Sequence, residues 1–279
     1  MVRHNCPPLI GRSQAVFSIA VVALFGGSPA AAEECVFDPN DTMGASSVSG
    51  SGATACGDKA RAEGAGSSAI GSDASALDSH ATAIGMGAVA TRLDSEEPLD
   101  VADISPTFAA LAVGAQAAAA GFDSISIGRG AIAGTVTDHD AHDATYSLGL
   151  ADFAIAIGGM AHASEEFALA LGQGSAADGM RSMALGAASR ASGVGSIAIG
   201  GDGGDGDGAS SQAANAIALG VDAAVNTGAT DAIAFGRSSA IASNAVGAMA
   251  LGAATSASGT FNTAVGYQAS ATGSTQASA

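Results

Sequence analysis

Tryptophan is absent from this chain of 279 residues, and aromatic residues of all kinds make up 4% of it. So little ring surface predicts no large aromatic ligand platform. Basic residues are scarce too: nine Lys and Arg stand against 26 Asp and Glu, a formal net charge of −17. That field makes nucleic acid and anionic membrane poor partners. Lysine occurs once, as Lys59, which argues against a Schiff-base enzyme. No Gly-x-Ser-x-Gly elbow follows a long strand, and no phosphate loop carries its Lys. The abundant Ser residues recur at fixed positions, a mark of structure. The chain therefore reads as non-enzymatic, without a cofactor.

Long apolar runs are also missing. The longest stretch, Ala15–Phe25, covers eleven positions, too few to span a bilayer. Arg3, His4 and Arg12 precede it and Pro29-Ala30-Ala31-Ala32 follows, the pattern of a secretory signal cleaved after Ala32. Cleavage removes Arg3 and Arg12 and leaves seven basic residues against 26 acidic ones, a net −19. Cys6 leaves with the signal. Cys35 and Cys56 remain, and export permits a disulfide between them. Such a bridge would staple the leader, residues 33–52, to the first repeat.

What the chain has in abundance is a rhythm. Met183-Ala184-Leu185-Gly186, Ile197-Ala198-Ile199-Gly200, Ile217-Ala218-Leu219-Gly220 and Ile233-Ala234-Phe235-Gly236 share one pattern. Seven glycine intervals are fourteen residues long: Gly57–Gly71, Gly71–Gly85, Gly114–Gly128, Gly158–Gly172, Gly172–Gly186, Gly186–Gly200 and Gly252–Gly266. Fixed self-similarity at this scale means stacked repeats. Within each unit the apolar residues alternate at period two, and the three-and-four spacing of a helix is absent. Each unit thus holds two short strands and two turns. The prediction is an all-β parallel β-roll solenoid with coils of about fourteen residues, spanning residues 53–279. Coils stacked roughly 4.8 Å apart give a rod on the order of 60 Å long.

Alternation alone also predicts a facing. Large apolar residues are placed inside, so Ile199 should stack inward between Leu185 and Leu219, and Cys56, in the same column, should point inward in the first coil. Ser196 and Ala198 then lie outside, and the small-residue face packs against another copy of the chain. A coil so narrow buries little alone, which predicts a homotrimer.

The period breaks at insertions near 92–107, 134–146 and 201–211. In solenoids such insertions project from turns. The second holds His139 and His142, whose spacing is that of some zinc ligands, among Asp138, Asp140 and Asp143. The third holds Asp202, Asp205 and Asp207 in a Gly-rich run. One copy of a calcium β-roll pattern is there, with Asp207 at the position the pattern reserves for an apolar residue. A solvated acidic turn is the competing reading for both. His80 and His162 fall at outward offsets and read as surface residues.

Gly195-Ser196-Ile197-Ala198-Ile199-Gly200 and the stretch Asn262–Gly273 resemble the head repeats of trimeric autotransporter adhesins, the YadA-like group. The resemblance covers roughly Ala53 to Ala279. It implies a left-handed parallel β-roll, three chains side by side, and display on a Gram-negative outer membrane. It further implies a non-enzymatic adhesin head that attaches to host matrix or cell-surface proteins. Residues on the outward side of the strand would contact ligand, here Ser124, Ser126, Ser196 and Ala198. No neck, heptad stalk or barrel strand is found. The chain stops in mid-repeat at Ala279, as a fragment of a longer adhesin would, so the membrane is reached only through a C-terminal anchor not present. Such a chain sits at the cell surface when full length and is secreted if truly truncated. The alternative is a calcium-dependent secreted β-roll scaffold segment, which would need more than one acidic nonapeptide.

Overall fold

The computed structural model describes residues 33–35, 46–91, 109–136, 148–149, 151–204 and 206–279. Two strands alternate along the chain, one of about three residues and one of about two, and each kind stacks on its own sort. Among the described residues this builds two parallel sheets of 14 strands each. The register confirms the fourteen-residue coil: Leu171 pairs with Leu185 and Leu185 with Ile199, while Ile199 pairs with Leu219 across the third insertion. The molecule is an all-strand parallel β-solenoid.

Corners close each coil, and they too are laddered. Gly172 N donates to Ile157 O, and Ala188 N to Gln173 O, both at 2.9 Å, so turn backbones find their partners in the coil below. The glycine rhythm has a steric cause. Gly186 holds φ +127, and a Cβ there would lie 2.5 Å from the carbonyl oxygen of Gly200 in the next coil. Any side chain at this corner would push the coils apart.

The expected facing is reversed. In the coil from Gly186 to Gly200, Ser189, Ala191, Ser196 and Ala198 are all fully buried. Ile197 and Ile199 lie on the outer side and are half-buried. The stacking order around Ile199 was predicted correctly; its direction was not. A fourteen-residue coil leaves so little space between its two sheets that only Ala and Ser fit inside, and the bulky residues of the alternation must face out. Cys56 pairs with Ile70 in that same outward column, so it too stands on the outer side, although it is itself buried.

Inward serines are accommodated by the corner. Ser175 Oγ and Ser189 Oγ donate to the carbonyls of Gly172 and Gly186, both at 2.9 Å. Ser196 Oγ is buried and finds no partner among the described residues.

The solenoid starts before the first anchor glycine. Glu33–Cys35 pairs with Thr54–Cys56, and Ser47–Val48 with Arg61–Ala62, so part of the stretch read as a leader already belongs to the sheets. Two insertions are partly visible. Thr135–Val136 and Leu148–Gly149 form an antiparallel pair at the base of the second. The third is shorter than expected, because Ser210–Ser211 already pairs with Arg190–Ala191 in the sheet. The first, with His139, His142 of the second, and Asp205 of the third, lies outside the described residues.

Candidate interaction surfaces

The first surface is the outer face of the longer-stranded sheet. Its third strand position is apolar in every row from Ile70 to Val265, and Ile70, Ile84, Leu171, Leu185, Phe235 and Val265 are its most exposed members, from 36% at Leu185 to 57% at Val265. The first position adds Ile155, Leu169, Met183, Ile197, Ile217 and Ile233, each half-buried. An apolar strip running the length of a solenoid is larger than the scattered apolar residues of ordinary surfaces.

The outer face of the second sheet is more mixed, with an apolar patch at Val89, Ala118 and Ile132 followed by a more polar stretch. His162, Ala176, Arg190, Ser210 and Ala224 follow one another in register. The small Ala176 between His162 and Arg190 leaves a dent, part of a cavity of about 570 Å³ lined also by Met160, Gln173, Asp178 and Asp202. His162 Nδ1 lies 3.3 Å from Asp178 Oδ1. Ser164 Oγ donates to the same oxygen at 3.3 Å. The His162 hydrogen bond, chiefly, and the nearby Arg190 charge hold the Asp178 carboxyl below the usual carboxylate range, against the opposing effect of burial. Because the Ser164 hydroxyl is committed to the carboxylate, these three groups do not form a nucleophile–base relay. Sequence reasoning passed over this cluster. The signal was available: Asp178 follows His162 by one coil plus two residues, which makes them diagonal neighbours.

The residues expected to face a ligand do not. Ser124, Ser126, Ser196 and Ala198 are all fully buried inside the coil. Ser124 Oγ donates to Gly121 O at 3.0 Å, and Ser126 Oγ to Ala131 O at 2.7 Å, so both hydroxyls hold their own coil together. The physical reason is again the narrow interior, which takes the small residues and turns their neighbours outward.

In the acidic loop, Asp202 Oδ1 accepts from Gly204 N at 2.6 Å and Gly206 N at 2.9 Å, and Asp222 Oδ1 accepts from Gly203 N at 3.0 Å. These carboxylates organise loop backbone. No cluster of three His, Cys, Asp or Glu placed to hold a metal ion occurs among the described residues. Cys56 is disulfide-bonded, and Cys35 stands directly opposite it in the strand ladder.

Short coils, a small-residue interior and a bulky apolar exterior define a repeat-built solenoid scaffold. The family model for the YadA head domain repeat (2 copies) matches residues 49–74, 62–88, 151–175 and 177–202. No curated protein matches the chain. The chain carries YadA head repeats within residues 49–202, the repeats of a family of adhesin-type, generally non-enzymatic proteins.

Proposed function

We propose that this chain is the attachment head of a homotrimeric, outer-membrane adhesin that binds host matrix or cell-surface proteins. The observation that carries the reading is the unbroken apolar strip from Ile70 to Val265, on a head whose own interior is almost entirely Ala and Ser. A coil this thin buries little apolar area by itself, and laying three such strips together removes them from water. In this arrangement the second sheet, with its stretch from His162 to Ser210, faces the surroundings. Residues 1–32 act as the export signal, so the mature chain begins at Glu33, the first residue of the first strand. Cys35 is the partner of Cys56, and their bridge holds that first strand to the stack; its loss lowers stability by up to about 3 kcal/mol.

Sedimentation equilibrium on the exported chain tests the assembly. A trimer is expected at micromolar concentration, and a stable monomer there would overturn it. Retention of the trimer on immobilised matrix proteins, against an albumin control, tests attachment; equal retention on both would defeat it.

A further inference from the structure

Each coil turns its second corner through a residue in the left-handed backbone region. Gly66, Asp123, Gly195 and Asn215 serve there, residue types that accept positive φ readily. His80, Arg181 and Phe261 hold it in other coils, and in two adjacent coils it falls to Phe153 at φ 59 and Phe167 at φ 57. The strain of two bulky residues in this region is at least comparable with what one stacked ring pair returns. The rings nevertheless stack in parallel, centroids 5.0 Å apart and planes 4° from coplanar. They remain 45% and 46% exposed.

Backbone bonds fix the order of the ridge. Phe153 N donates to Phe122 O, Phe167 N to Asp152 O and Arg181 N to Glu166 O, so Asp123, Phe153, Phe167 and Arg181 are successive rungs. On the side of Phe153 away from Phe167, the neighbouring rung is the short Asp123. Asp123 and Glu165 are exposed, and neither side chain makes a hydrogen bond or ion pair among the described residues. Aromatic faces beside free carboxylates recognise a cation, and a flat guanidinium matches both by stacking and by paired hydrogen bonds. Arg181 at the far end repels the same group and directs it to the Asp123 side.

We propose that the Phe153–Phe167 ridge docks an arginine side chain from a basic segment of a partner protein. This deepens the adhesin reading and rests on it. The net charge of −17 favours a basic partner over a polyanion.

The test uses a labelled tetra-arginine peptide and fluorescence anisotropy on the full chain, its Phe153→Asn/Phe167→Asn variant and Asp123→Asn. Asn accepts the left-handed corner, so the double variant should melt no lower than the parent. It should bind the peptide about tenfold more weakly, a loss of one aromatic–cation contact. Asp123→Asn should weaken binding by a smaller factor, and tetra-lysine should bind the parent less well than tetra-arginine. Unchanged peptide affinity in the double variant, equal affinity for both peptides, or a lowered melting temperature would each overturn the proposal. Matrix-binding assays separate it from the broader reading. A parent head that binds peptide but no matrix protein sinks the adhesin function and leaves the ridge standing. A double variant that still binds matrix fully sinks the ridge as the contact and leaves the adhesin.

Discussion

The three coils from Gly158 to Gly200 and the two from Gly220 to Gly252 are built on the same plan with different perimeters: fourteen residues in the first group, sixteen in the second. In the narrow group every inward position is Ala or Ser, as with Ala161, Ala163, Ala168 and Ala170. In the wide group Val225 and Ile241 are fully buried, the largest fully buried side chains among the described residues. They stack on each other in register. The two extra residues lengthen one corner, and an additional Ala turns inward there, Ala229 in one coil and Ala245 in the next. Asn226 Nδ2 then ties the wider corner down by donating to Ile241 O at 2.9 Å. Coil perimeter thus sets core volume, and core volume decides which residues fit.

The sharpest way to break this comparison is a buried charge in the narrow group. Ser196→Asp places a carboxylate where even the native hydroxyl has no partner, and should cost at least about 3 kcal/mol or abolish folding of that coil. Ile199→Asp, three residues on, lies outside and should leave the fold close to intact while weakening trimer assembly. Thermal melts read the first and sedimentation the second. A larger melting loss for Ile199→Asp would put the inside of the coil on the other face.

In the wide group the largest loss should come from emptying it. Ile241→Ala removes three carbons from a fully enclosed site and should destabilise by about 2–5 kcal/mol. Urea unfolding of the variant measures this. A loss under about 1 kcal/mol would mean that the wide coil collapses to narrow dimensions, and perimeter would no longer govern volume.

Filling tests the other limit. Ala198 and Ala250 occupy the same column, one in each group, and both are fully buried. Ala198→Val should overpack the narrow coil and cost about 1–3 kcal/mol. Ala250→Val, in the wide coil, should cost less. Equal losses, measured side by side by denaturant midpoint, would erase the distinction.

The rhythm, the strand count per coil and the vertical order of Leu185, Ile199 and Leu219 were legible because a fixed period specifies stacking directly. The facing was not. Period two divides a strand into two faces without naming the inner one, and the usual assumption that the larger apolar residues go inside fails when the interior is too thin for them. The clue lies in uniformity of size. The column of Ala184, Ala198, Ala218, Ala234 and Ala250 admits one small residue throughout, whereas the column of Leu185, Ile199, Leu219, Phe235 and Leu251 ranges up to Phe. A column that tolerates many volumes faces space; one that tolerates a single small volume faces a wall. The Phe153–Phe167 stack was readable from the same arithmetic, since the two are one coil apart. The link from His162 to Asp178 was harder, because diagonal contacts need the pitch of both sheets.

The smallest expected effect concerns how the two groups secure the residue just past the second-sheet strand. The wide coil uses the neutral Asn226, the narrow one the charged Asp178, at the equivalent place. Asp178 is held below the usual carboxylate range in the folded chain. A depressed carboxylate contributes stability that is fully present above its unfolded value, about 3.9, and is lost as pH falls through the lower folded value. Asp178→Asn should therefore melt below the parent at pH 5, by well under about 1 kcal/mol for a partly exposed pair. The two melting curves should converge as the pH is taken below the ordinary carboxylate range. Asn226→Asp, the reverse exchange, gains no such partner and should lose stability at pH 5 without recovering it through a cationic neighbour. If the Asp178→Asn deficit instead persisted undiminished at the acid end, the neutral hydrogen bonds of the corner, and not the charge, would be what the narrow coil depends on, and the two groups would be fastened in the same way.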